Sequence, residues 1–129
     1  MPHPEIYRIN VVLDCAEGQA GVLAAFYSAL LGWPVTIPHQ NGWAGLTAPD
    51  GHVMAFQEVP HYAPPVWPWE AGAPGQMVHL DFMVRDLPAA VNFTLGLGAR
   101  LAEQQFFESS RTLLDPAGHT FCLDTESDH

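Results

Sequence analysis

His79 and Asp81 stand two residues apart in the alternating segment Met77 to Val84. Alternate residues of a strand face the same way, so imidazole and carboxylate are expected to be neighbours. Asp81 would then orient the ring and raise its basicity, as in a general acid–base pair. A histidine hydrogen-bonded inside a ligand-gripping polar pocket fits the same residues, and the sequence leaves both readings open. Cys122, in the segment His119 to Asp124, is either a soft metal ligand or a small apolar filler. No base next to it in the chain makes it a nucleophile. Cys15 reads as structural, and the two cysteines form neither a disulfide framework nor a zinc-type pair.

Elements have to position these groups. Ile6 to Asp14 alternates and is rich in branched residues, which predicts a strand. Val22, Leu23, Phe26, Tyr27, Leu30 and Leu31 recur at helical spacing, and Gly32 stops that helix. Asn41-Gly42 predicts a hairpin between Val35–Ile37 and Trp43–Thr47, and Pro49-Asp50-Gly51 turns the chain into a strand from His52 to Val59. The second half repeats this order. Met77 to Val84 is a strand, and Asp86-Leu87-Pro88 opens a helix whose buried face is Leu87, Ala90, Val91 and Leu95. Leu101 to Phe107, Arg111 to Asp115 and His119 to Asp124 complete three more strands.

Pro49-Asp50-Gly51-His52 returns as Pro116-Ala117-Gly118-His119, 67 residues later. A unit of this size, βαβββ, cannot bury its own sheet face alone, so a duplicated architecture is expected. The fold class is α+β: two βαβββ modules form a curved mixed β-sheet cup with the helices outside. Module 1 covers about residues 5–59 and module 2 about 77–125, within a single domain of 129 residues. The connector, residues 60–76, is dense in proline and is expected to be extended and stiff. Its Tyr62, Trp67 and Trp69 either pin it to the fold or touch a ligand.

Four arginines, no lysine and fourteen acids give a net charge near −10, which argues against nucleic acid. No apolar run approaches membrane-spanning length, and Met1-Pro2-His3-Pro4 opens no signal peptide. A cytoplasmic protein is expected, with no membrane partner.

Paired βαβββ modules ending in Pro-Asp-Gly-His or Pro-Ala-Gly-His resemble the vicinal oxygen chelate superfamily. That group includes glyoxalase I, extradiol dioxygenases, fosfomycin-resistance transferases and bleomycin-binding proteins. Asp115 to Leu123, with Ala55-Phe56-Gln57-Glu58-Val59-Pro60, looks most like its glyoxalase-like domain branch. The resemblance implies a homodimer. It also implies that metal-dependent members place ligands at the positions of Asn10, Ala55, His79 and Cys122.

Strand alternation agrees with that placement. It puts Asn10, Val12, Asp14, Ala55, Gln57, Met77, His79, Asp81, Met83, Thr120, Cys122 and Asp124 on the cup face, with apolar residues opposite. Ala55 cannot bind a metal and Asn10 is a poor ligand, so no metal or other cofactor is expected. Were a divalent metal present, His79, Gln57 and Cys122 at a displaced site would hold it. The leading expectation is a metal-independent protein of the sequestering or resistance type that binds a small molecule. Asn10, Asp14, Gln57, Tyr62, Trp67, His79, Asp81 and Cys122 are its candidate ligand contacts. Aromatics would stack on a flat ligand, and Asp14, Asp81 and Asp124 suit a cationic group. The alternative is an enzyme of lyase, isomerase, hydrolase or dioxygenase-like type, using His79 with Asp81 or the displaced metal. A filled, vestigial cup serving as an interaction module is a third reading.

Overall fold

The structure, a computed structural model, describes residues 3–126. Its contacts divide the chain into two compact units, Met1–Tyr62 and Ala63–His129. Each carries one four-stranded mixed sheet and one helix in the order βαβββ, so the α+β class and the duplication hold.

In the first unit, β1 (Val11–Cys15) pairs in parallel with β4 (Val53–Glu58). β3 (Trp43–Thr47) and β2 (Val35–Gln40) extend the sheet on the far side of β4. The helix α1 (Ala20–Leu31) crosses between β1 and β2 and packs on β2, β3 and β4. Leu23, Tyr27, Leu46 and Phe56 are fully buried there, each worth roughly 1.5–3 kcal/mol by area. Tyr27 stacks on Phe56 at 5.6 Å. Val22 shares the helical spacing of these residues but is exposed.

The first turn of α1 is held from a distance. Glu58 Oε2 accepts the Ala20 amide at 3.1 Å and lies 2.8 Å from His39 Nε2. Bonds from the Gly18 and Ala20 amides, with a smaller share from His39, hold the Glu58 carboxyl below the usual glutamate range. A lowered carboxyl stabilises the fold above its unfolded value and loses that effect as pH falls through the folded one. Thermal melts across pH should therefore find Glu58→Gln less stable than the parent at neutral pH, with the gap closing in acid. A gap that widens in acid would contradict the assignment.

In the second unit, β5 (Leu80–Met83) pairs in parallel with β8 (Thr120–Asp124). β7 (Ser110–Leu114) and the short β6 (Arg100–Leu101) follow. The helix α2 (Leu87–Gly96) starts as its sequence predicts, with Asp86 Oδ1 accepting the Ala89 amide at 3.1 Å. Its buried residue is Thr94, while Leu95 is exposed. Thr94 continues the line of Leu87, Ala90 and Val91, and its hydroxyl is satisfied by Ala90 O at 2.7 Å. A threonine bonded within its own helix can thus serve as core, which apolar periodicity passes over.

The repeated turn is the same device twice. Ala48 N donates to His52 O and Gly51 N to Ala48 O; Asp115 N donates to His119 O and Gly118 N to Asp115 O. Gly51 and Gly118 both have φ near +90°, where a side chain is strained. A Cβ on Gly118 would also stand 2.8 Å from Pro64 Cβ.

Four predicted elements differ: the strands expected from Ile6 and from Met77 begin only at Val11 and Leu80. The segment expected to be a strand from Leu101 to Phe107 leaves the sheet after Leu101. The connector is not extended: Val66 N donates to Pro74 O at 2.7 Å and folds residues 66–74 into a loop. No helix of the described residues is long and apolar enough to cross a membrane.

Candidate functional site

In the second unit, one face of the β5–β8–β7 ladder carries the polar groups. Asp81 lies opposite Cys122, Cys122 opposite Thr112, and Asp124 opposite Ser110. His79 immediately precedes β5. These five strand residues and His79 line a cavity of about 420 Å³ whose other walls are Trp67, Trp69, Gln105, Phe106 and Phe107. That volume suits a small organic ligand, and the lining pairs aromatic rings with a few converging polar groups. Trp67 meets Trp69 at 4.9 Å and Phe106 at 5.7 Å, both edge-on.

Two expected neighbours are in contact: His79 Nε2 lies 3.0 Å from Asp81 Oδ1, with both side chains nearly half exposed. Asp124 is 3% exposed, so the cavity has one open acid and one buried one. Burial pushes the Cys122 thiol up, and the Asp81 and Asp124 charges add to this. Thr112 Oγ1, 3.5 Å from Sγ, works the other way. A thiol held protonated at neutral pH is a poor nucleophile. Iodoacetamide at neutral pH should modify Cys122 at least about tenfold more slowly in the folded protein than in urea. Equal rates, read by peptide mass spectrometry, would mean the thiol is reactive after all.

The aromatic wall depends on Gln105. Its Oε1 accepts the Thr112 amide at 2.8 Å, and its Nε2 donates to Thr112 O and Ala102 O. A side-chain amide thus replaces the backbone ladder that a longer β6 would have made, and Phe106 and Phe107 enter the cavity from a loop. Among the described residues Arg111 bonds to backbone carbonyls rather than to an acid. Its Nη1 donates to the carbonyls of Phe107, Glu108 and Ser110, which fixes the same loop from its other end. Gln105→Ala should leave a buried Thr112 amide unpaired, costing about 2 kcal/mol in denaturant unfolding. A loss near zero would show that the loop is held by other contacts.

The remaining sequence candidates lie in the first unit. Asp14 is exposed on β1 beside the half-buried Gln57 of β4, Asn10 precedes β1 and is exposed, and Tyr62 ends the unit. Sheet register makes Asn10, Val12, Ala55 and Gln57 the counterparts of His79, Asp81, Cys122 and Asp124. Likewise Gly45 and Trp43 correspond to Thr112 and Ser110. A Cβ on Gly45 would stand 3.0 Å from Ile37 Cδ1 and 3.4 Å from Ala55 Cβ, so apolar groups crowd that face. Ionisable groups on that face are thus denser in the second copy, Asp14 being the acid of the first. Cys15 is fully buried, with Sγ 3.6 Å from Gln57 O, which bears out its structural reading. His119 Nδ1 lies 2.8 Å from the turn acid Asp115, whereas the His52 ring is 3.8 Å from Asp50, beyond hydrogen-bond reach, and only the His52 amide bonds that acid.

Of the four positions where the resemblance implies metal ligands, Ala55 has no donor atom and is 4% exposed. That four-ligand set is not met. Within the second unit a different set converges: one ligand atom each from His79, Asp81 and Cys122 lies within 4.8 Å of the others.

The glyoxalase-like domain family model matches residues 10–123, and the chain belongs to that family. No curated protein sequence matches it. Among solved structures, it is similar to a glyoxalase/bleomycin resistance protein/dioxygenase family enzyme from Burkholderia phytofirmans PsJN. The TM-score is 0.64 at 15% identity, over 90% of this chain and 95% of that one. A glyoxalase/bleomycin resistance protein from Catenulispora acidiphila DSM 44928 gives 0.59 at 21% identity, over 92% and 96%. The fosfomycin resistance protein FosX from Mesorhizobium loti gives 0.64 at 12%, over 95% of each chain. Identities this low speak for the fold and not for a shared activity.

Proposed function

We propose that the protein binds a flat, cationic small molecule in the second-unit cavity and works by holding it, as sequestering or resistance proteins do. One observation carries this reading: a cavity of about 420 Å³ combines Trp67, Trp69, Phe106 and Phe107 with the carboxylates of Asp81 and Asp124. Aromatic faces attract planar rings and cations, and a partly desolvated carboxylate rewards a positive charge more than water does. The chain's net charge of −10 favours the approach of a cation over that of an anion. No metal is required for this role. The homodimer expected from the resemblance belongs to the proposal, and a monomer-sized mass at every concentration would remove it.

A planar probe, N-methylquinolinium, tests this directly. Saturable quenching of tryptophan fluorescence at one ligand per chain is the expected result. A linear, unsaturated response up to millimolar probe would sink the reading.

The 3.0 Å contact between His79 Nε2 and Asp81 Oδ1 favours a second reading, general acid–base catalysis. In it, Asp81 orients the ring while His79 moves a proton on a bound substrate. Turnover of a cavity ligand that disappears in His79→Gln while binding persists would favour this reading over simple holding.

A further inference from the structure

We propose that His79, Asp81 and Cys122 form a thiophilic metal site built within the second unit alone. The inference goes beyond cation holding and stands without it. Three kinds of donor meet there: an imidazole nitrogen, a carboxylate oxygen and a sulfur, all within 4.8 Å of one another. Donors around a tetrahedral zinc-class ion sit roughly 3.3–3.8 Å apart, given bond lengths of about 2.0–2.3 Å. The His79–Asp81 contact is already 3.0 Å. Closing the set therefore asks for a shift of about 1 Å at most, and His79 and Asp81 are exposed enough to make it. Cys122 is fixed by the strand pairing that sets it opposite Asp81.

The donor set also indicates which ion. Sulfur and imidazole favour zinc-class and softer ions, whereas magnesium and calcium prefer all-oxygen sites. Cys122 would bind as the thiolate, its proton leaving to solvent. Three protein donors leave a fourth coordination position, and all three residues line the same cavity, so a small molecule can reach it. The set shares His79 and Cys122 with the positions implied by the resemblance, and Asp81 stands in for the two that cannot serve. It takes nothing from the first unit, where Val12 and Ala55 stand at the positions of Asp81 and Cys122.

Cobalt(II) reads this site without any organic ligand. Protein made without a histidine tag and stripped with chelator is titrated with cobalt. Saturation near one equivalent is expected, with a thiolate-to-cobalt charge-transfer band in the near ultraviolet and strong visible bands of a four-coordinate ion. Zinc should displace the cobalt at stoichiometric amounts, and excess magnesium should not. Cys122→Ser should lose the charge-transfer band. Asp81→Asn, at an exposed position, should keep the band but weaken cobalt binding at least about tenfold. A pale six-coordinate spectrum in folded protein would overturn the proposal, as would a charge-transfer band that survives Cys122→Ser. If Cys122→Ser does not fold, zinc protection of Cys122 from alkylation in the parent protein decides: protection supports the site and its absence overturns it.

Discussion

Replacing Asp115 with alanine should lower the melting temperature by about 10 °C, whereas Asp50→Ala at the repeated turn should change it by about 2 °C or less. The Asp115 side chain is fully buried. It accepts the amides of Ala117 at 2.9 Å and His119 at 3.0 Å, and His119 Nδ1 lies 2.8 Å away. Removing it strands two amide donors and the imidazole in a buried turn, a loss of about 3 kcal/mol. Asp50 is 69% exposed and accepts one amide, from His52, at 3.2 Å. Water replaces that bond almost fully, so its loss costs under about 1 kcal/mol. Two turns with the same backbone bonds thus differ in what holds them. Equal shifts for the two variants would mean that the backbone turn, and not the buried acid, sets the stability.

The second large effect is on binding. Trp67→Ala should weaken N-methylquinolinium binding about thirtyfold, which corresponds to about 2 kcal/mol of lost stacking. Trp67 is the hinge of the aromatic wall, edge-on to both Trp69 and Phe106, so its loss also loosens its neighbours. Its Nε1 is buried with no acceptor among the described residues. No polar group among the described residues depends on its Nε1, and the variant should fold. Trp43→Ala, in the first unit, should leave the affinity within about twofold. An equal loss in both variants would separate the binding event from this cavity.

Much of this arrangement was legible before any coordinates. Repeated Pro-x-Gly-His turns carry a glycine that a positive φ demands, and two-residue alternation alone put His79, Asp81, Cys122 and Asp124 on one face. Sheet register then paired Asp81 with Cys122, and extended by one residue it sets Asn10 against His79 between the copies, as the resemblance implied. What escaped detection depends on distant partners. Gln105 holds a loop by standing in for a peptide group of β6, and nothing in Glu103-Gln104-Gln105 separates it from a surface glutamine. Phe106 and Phe107 follow from that loop. Glu58 reaches the first turn of α1 from a strand 38 residues away. Proline density predicted a stiff connector, and only the Val66–Pro74 bond reveals that it doubles back. Local pattern sets periodicity and turns; which loop residue reaches which strand is decided by tertiary contact.

Charge discrimination tests the central claim most directly. Isothermal titration calorimetry with N-methylquinolinium and neutral quinoline compares two ligands of nearly the same shape. Asp124 is 3% exposed at the cavity, so the parent protein should prefer the cation by about tenfold or more. Asp124→Asn should keep binding quinoline while losing most of that preference. Equal affinity for the two ligands in the parent protein, or a cation preference undiminished in Asp124→Asn, would contradict the account.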